Sequence, residues 1–366
     1  MIRILHLIDS LAREGAGRQM TLLARGLAGP QFALHVCGLS RGGPLAEDLT
    51  RAGIAVSVIG SRWLADPCAW WRLRRQVRRI RPDLIHAWGE RANLYAAAVA
   101  RQCGPAGLIL ACRGLQPPRA ALEAAIEPYA VRRCQALVVN SQAVRASCLG
   151  RGLPPEKIRL IANGVAPAMA QAATRRQLLD ELSLPESSRL VGLLGPLRPA
   201  KRVKDAIWAA DLLKVIRDDV HLLIFGDGPH RPRLLQFRRQ VEITERVHFL
   251  GERGDVLRWL PHLDLLWSTS GSEGQSNAIL EAMAAGLPVV ACDIPANREL
   301  LLHEQTGYLA RVGHRAAFAG WTEHLLNRPE LARRLGAAGR QRALRQFGLE
   351  PMIAAYAALY REIVYR

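Results

Sequence analysis

Short apolar runs alternate with longer amphipathic ones along the first part of the chain. The runs at 2–8, 33–39, 55–59, 84–88, 108–111 and 136–140 are largely apolar and of strand length. Between them, 19–27, 69–81, 92–102 and 120–133 place apolar residues at a helical period. Apolar strands alternating with helices predict a parallel sheet covered on both faces.

The same plan returns further along. Strands are predicted at 190–194, 221–225, 247–250, 264–267 and 288–291, and helices at 203–216, 231–240, 277–285 and 315–326. The break falls at 163–184, after the strand-like IRLIANGV. With 366 residues the chain exceeds one comfortable core and suggests about two domains. The expected fold class is α/β, with two doubly wound parallel-sheet domains facing across a cleft. Ligands of such sheets bind outside the carboxyl ends of the strands, and the motifs below fall at those ends.

Hydrophobic residues make up 49% of the chain, which excludes a wholly disordered polypeptide. Lys and Arg number 50 against 32 Asp and Glu, a net charge of +18. Such a charge suits nucleic acid, an anionic membrane surface or a phosphorylated substrate. Aromatics are only 5% and no nucleic-acid-binding motif appears, which argues against the first. The seven Cys include no CxxC pair, so neither a zinc site nor a disulfide framework is expected. No signal-peptide pattern opens the chain, and no apolar run reaches the ~18 residues of a membrane span. A cytoplasmic protein is expected.

One stretch concentrates the chemistry. STSGSEGQSNAILEAMAAGLPVV, 268–290, holds Glu273 and Glu281 eight positions apart in otherwise uncharged sequence. Ser276 is a good N-cap, so Glu273 lies in a loop ahead of a helix start and Glu281 lies on that helix. Backbone amides and the dipole at a helix start favour a diphosphate, and carboxylates accept hydrogen bonds from sugar hydroxyls. The pattern therefore reads as a nucleotide-sugar clamp. The plainer alternative is a capped surface helix with two solvated acids.

The stretch resembles the E-x7-E signature of the family-four retaining glycosyltransferases, which have the GT-B fold of two Rossmann-like domains facing across a cleft. EKIRLIANGVA, GLLGPLRPAKRVKDAIWAADLL, LLIFGDGPHRPRL, VHFLGERGDV and GRQRALRQFGLEPMIAAYAALYREI resemble further segments of that family in the same order, over nearly the whole chain. The resemblance implies an acceptor-side domain over 1–168, a donor-binding domain over 169–345 and a last helix, 346–366, crossing back to the first. It implies that Glu281 holds the ribose hydroxyls and Glu273 faces the transferred sugar. Gly274, Gln275, Ser276 and Asn277 would meet sugar and phosphate through their amides, Lys201 the diphosphate, and Gly251, Glu252 and Arg253 the base. The nucleotide sugar is then a substrate, a UDP-sugar ahead of a GDP-sugar, and neither a cofactor nor a protein-bound metal is implied. The acceptor would be a glycan or a lipid-linked saccharide of cell-surface polysaccharide or glycolipid assembly.

The chain departs from the family at two charged positions. The family's Gly-Arg-Leu phosphate loop is Gly195-Pro196-Leu197 here, leaving Arg198 or Arg202 to replace the arginine. Arg113 stands before Gly114 where many members carry a cleft His. Gly15, Ala16 and Gly17 follow the first strand, where Gly allows close backbone approach to a ligand or simply a tight turn. His86 ends the fourth strand and is expected to point toward the cleft, whereas His6 reads as core.

The segment 62–82 carries seven Arg, one Asp and three Trp. Arg72, Arg75 and Arg79 form one helical stripe opposite Leu73, Val77 and Ile80. This predicts either an anionic membrane surface as partner, with the protein peripheral at the inner membrane face, or a helix packed on the sheet with solvated arginines. A GT-B-fold isomerase of nucleotide sugars and a basic nucleic-acid-binding protein are the rival functions.

Overall fold

The strand Ile2–Ile8 (β1) sends Leu5 and Leu7 into one core and Ile4 and Ile8 into another. That two-residue alternation, apolar on both sides, is what a sheet buried on both faces requires. The computed structural model describes residues 1–40, 42–63, 66–100, 107–115, 121–167 and 174–365, the side chains of 121–126 excepted. It divides into two units, Met1–Gly164 with Leu349–Arg366, and Val165–Gly348.

In the first unit, β1 is joined by Phe32–Gly38 (β2), Ala55–Val58 (β3), Leu84–Trp88 (β4), Gly107–Cys112 (β5), Ala136–Val139 (β6) and Ile158–Leu160 (β7). The order is β3-β2-β1-β4-β5-β6-β7 and every pairing is parallel. Connections run outward in opposite directions from β1 and β4, which makes their carboxyl ends the switch point of the sheet. The final helix Leu349–Tyr365 seals one face with Met352, Tyr356 and Tyr360.

In the second unit, the strands are Arg189–Leu194 (β8), Val220–Phe225 (β9), Val247–Gly251 (β10), Leu265–Ser268 (β11), Val289–Cys292 (β12) and Tyr308–Ala310 (β13). Their order is β10-β9-β8-β11-β12-β13, again all parallel, with the switch point between β8 and β11. Val191 and Leu193 enter one core, Leu190 and Leu194 the other.

The α/β reading with parallel sheets holds for both units, and the local differences have local causes. The first helix begins at Gly15, four residues ahead of the predicted start. The predicted helix 92–102 is observed as Glu90–Ala100, and its last two positions lie outside the described residues. Helices Pro44–Arg51, Gln142–Gly150 and Pro295–Leu300 have no counterpart among the predicted elements. Each has two or three fully buried residues, too few for a helical period to stand out. Asp264 falls just before β11, where its carboxylate accepts from Arg175 at 2.8 Å and from the Leu190 amide at 2.7 Å. None of the described helices is long and apolar enough to cross a membrane.

Candidate functional site

Three loops at the carboxyl ends of β8, β9 and β10 are pressed together by glycines. Gly195, Gly226 and Gly251 all hold positive φ, at 142°, 145° and 70°. A Cβ on Gly226 would sit 2.0 Å from the Gly195 carbonyl oxygen, a contact that only glycine avoids. The amide of Gly195 donates to the Phe225 carbonyl at 2.9 Å, and that of Gly226 to Gly251 at 2.7 Å. The loops after β8 and β11 are tied as well: Thr269 Oγ1 donates to the Lys201 carbonyl at 2.9 Å and the Gly271 amide to Ala200 at 2.9 Å. The sequence had no signal for these last two bonds beyond a hydroxyl and a glycine following a strand.

This scaffold brings together residues far apart in the chain. The Lys201 ammonium donates to Glu273 Oε1, and both side chains are mostly buried. A Cβ on Gly195 would come within 3.2 Å of Lys201 Cε, so glycine makes room for the lysine stem. Ser276 caps the helix Asn277–Ala284, its hydroxyl accepting from the Ile279 amide at 3.4 Å, as predicted. Gly274, Gln275 and Ser276 are buried; Asn277 and Glu281 are half-buried in that helix. Lys201 is thus held to the loop that leads into a capped helix start, and a cation near the positive end of a helix is an arrangement suited to a phosphate-bearing ligand.

Of the two arginines considered for the phosphate loop, Arg198 is exposed at the start of a short 3₁₀ turn. Arg202 instead pairs with Asp205 through Nε at 2.6 Å, and Arg315 holds the other Asp205 oxygen at 2.9 Å. Near the end of β10, Glu252 is exposed and Arg253 is committed elsewhere. Its guanidinium bridges Asp255, at 2.9 and 3.0 Å, and Glu181, and lies over the Trp259 ring. The Arg253 hydrogen bond, despite some burial, holds the Asp255 carboxyl down at about 2. Arg253 therefore braces its loop through its side chain.

In the first unit, His86 does not face a ligand. It is fully buried, and its Nδ1 lies 2.7 Å from the Tyr360 hydroxyl. His6 is equally buried and accepts from Trp88 Nε1 at 3.0 Å, so its proton resides on Nε2. Burial depresses both, His6 to about 3, and both are neutral imidazoles at neutral pH. Position alone suggested a cleft role for His86; the packing of Tyr356 and Tyr360 over β4 decides otherwise.

Arg113 remains half-exposed, 4.9 Å over the Trp88 ring, and donates to Asn163 and, at 3.3 Å, to the Tyr356 hydroxyl. Gly15 and Ala16 open a helix, while Gly17 serves packing: a Cβ there would meet Leu45 at 2.7 Å. Asp9, which drew no attention in the sequence, lies at the carboxyl end of β1 and accepts from the Ala92 amide at 2.6 Å. Its burial raises the carboxyl to about 6. Among the described residues no three His, Cys, Asp or Glu gather as a metal site requires.

Two family models match the chain. Residues 13–168 match the Glycosyltransferase Family 4 model, and residues 188–328 match that described as Glycosyl transferases group 1. Together the two matches mark a family-four-like glycosyltransferase. Its GT-B fold is shared with Anabaena HepE in complex with UDP-glucose, at a TM-score of 0.90 and 21% identity, over 99% of this chain and 100% of that one.

Among curated relatives, the chain is 30% identical over 212 residues to N-acetyl-alpha-D-glucosaminyl L-malate synthase of Bacillus anthracis, covering 58% of this chain and 55% of the relative. It is 34% identical over 145 residues to the putative glycosyltransferase EpsD of Bacillus subtilis, 40% of this chain and 38% of the relative. It thus spans about half or less of the length of these two. A longer match joins it to the lipopolysaccharide core biosynthesis glycosyltransferase LpsE of Rhizobium meliloti, 25% identical over 290 residues, 79% of this chain and 78% of the relative.

Proposed function

We propose that this protein moves a sugar, with retention and without a protein-bound metal, from a nucleotide sugar to a saccharide or lipid-linked acceptor in cell-surface polysaccharide or glycolipid assembly. The observation that carries this reading is the Lys201–Glu273 bond ahead of a capped helix start, with Glu281 further along that helix. Glu273 holds the ammonium until a diphosphate takes it. As the glycosidic bond breaks, charge grows on the leaving diphosphate, and Lys201 and the helix amides stabilise it there. Glu281 accepts from the ribose hydroxyls, and Glu273, released from the lysine, faces the sugar.

The UDP and UDP-glucose bound by HepE favour a UDP-sugar, and the name of LpsE favours a surface-polysaccharide setting. The test is a thermal-shift panel of UDP-, GDP- and ADP-sugars. A true donor at ~100 times its dissociation constant adds ~2.7 kcal/mol of stability. No shift with any nucleotide sugar overturns the reading. Product formation that needs no acceptor would select the isomerase instead, and the anomeric configuration of a transfer product tests retention.

The net charge of +18 is assigned, on the same reading, to an anionic bilayer at which the acceptor is met. In the helix Pro67–Ile80, Leu73 and Val77 are buried in the core, so the apolar stripe packs inward. Arg72, Arg75, Arg78 and Arg79 are exposed, with Trp63 and Trp71 beside them. Arg75 lies 5.8 Å over the Trp71 ring. Exposed tryptophan among arginines suits the boundary between lipid headgroups and water.

A further inference from the structure

The first unit contains a pair of thiols joined by one guanidinium. Cys112 ends β5 and is half-buried; Cys148 is buried in the helix Gln142–Gly150. Arg151 Nη2 donates to both sulfurs, at 3.6 Å to Cys112 and 3.2 Å to Cys148. Its Nη1 is held by both oxygens of Glu127, at 2.9 and 2.7 Å. We infer that Cys112 and Cys148 are a reversible dithiol–disulfide site, closed by peroxide and reopened by thiol.

The two sulfurs have different chemistry. The Cys148 thiol hydrogen-bonds the Cys112 sulfur and, with the Arg151 charge and against burial, brings the Cys112 thiol down to about 7. Cys148 is raised, first by that same bond and then by burial. Cys112 is therefore the attacking thiolate and Cys148 the resolving thiol. Burial pushes Cys37, Cys134 and Cys292 up to about 11 instead, and none of them has an arginine on its sulfur among the described contacts.

The steps balance with a hydroperoxide as oxidant. The Cys112 thiolate attacks one peroxide oxygen, the O–O bond breaks, and hydroxide leaves to take up a proton as water. Cys112 is then a sulfenic acid. The Cys148 sulfur attacks that sulfur, the S–O bond breaks, and the departing hydroxide leaves as water with the Cys148 proton. The two thiols lose two electrons and the peroxide becomes two waters. The new bond fixes the residue directly before Arg113, whose guanidinium holds Asn163 and Tyr356. Closure therefore acts on the loop that presents Arg113.

The experiment treats the full-length protein with hydrogen peroxide, alkylates the remaining thiols and maps peptides without reduction. A 112–148 cross-link that dithiothreitol removes is the expected result. In Cys148→Ser, Cys112 stops at sulfenic acid and is trapped by dimedone; in Cys112→Ser, Cys148 stays reduced. The exposed Cys68 serves as the internal reference. If peroxide oxidises Cys68 while 112 and 148 are both recovered as free thiols, or links Cys112 to another cysteine, the inference is wrong. The wild-type map decides the matter even where a variant fails to fold.

Discussion

Lys201 donates its ammonium to the carboxylate of Glu273, a residue 72 positions further along the chain. One side chain leaves the loop after β8 and the other the loop after β11, and the adjacency of those strands makes them meet. On the proposed function, the lysine's contribution belongs to the transition state, where charge on the leaving diphosphate is greatest. Lys201→Ala should lower kcat by about 10²–10³-fold, as loss of an oxyanion donor does, and raise the donor KM far less. A kcat near that of the wild type would remove Lys201 from the mechanism.

Gly195 should resist substitution for two separable reasons. Its φ of 142° is strained for any other residue, at about 1–3 kcal/mol, and a Cβ would crowd Lys201 Cε. Gly195→Ala is expected to lower the unfolding midpoint and also to cut kcat. Comparison with a stability-matched core variant separates the effects: turnover no worse than that of the matched variant would show that lysine placement is untouched.

On the proposed function, Glu281 holds the ribose hydroxyls. Removing a hydrogen-bonding partner from a partly desolvated site costs about 1–3 kcal/mol, roughly 5- to 150-fold in affinity. Glu281→Ala should weaken nucleotide binding by that factor, measured calorimetrically, with circular dichroism unchanged. Equal affinity in the folded variant excludes the assignment.

The Arg253–Asp255 pair predicts a specific acid sensitivity. Asp255 is held at about 2 by Arg253, below its ordinary 3.8. Its contribution is complete above the unfolded value and disappears as pH falls from about 4 to about 2. Because the pair is only partly shielded from solvent, the effect is on the order of 1 kcal/mol. Asp255→Asn should be less stable than wild type at pH 7, with the gap closing toward pH 2. A gap independent of pH would show that the Asp255 charge, which Trp259 also supports by donating to it, is not what stabilises the loop.

The basic helix predicts salt-dependent lipid binding. The protein should co-sediment with anionic vesicles at low salt, weaken as salt rises, and ignore neutral vesicles. Replacing Arg72, Arg75, Arg78 and Arg79 by Gln should abolish the binding while leaving the fold intact, since those side chains face solvent. A wild-type protein that ignores anionic vesicles at low salt needs another partner for its charge.

What the sequence determined by itself is local. Strands such as β1 and β8 were legible because a buried parallel strand is a short apolar run. The helix after Glu273 was legible because a hydroxyl N-cap and the helix formers behind it act over a few residues, and Ser276 caps it in the structure. Family resemblance added candidate roles, and those remain proposals awaiting the experiments above. What only the tertiary structure decided are meetings across the sheet. Nothing local indicates that β1 lies beside β4, or β8 beside β11. So the Lys201–Glu273 bond, the grip of Arg113 on Asn163 and Tyr356, and the single guanidinium between Cys112 and Cys148 could not be read from spacing. His86 shows the same limit from the other side. Its place at a strand end is local, but its burial comes from Tyr360, 274 residues away, on a helix that the burial of apolar surface draws back over β4.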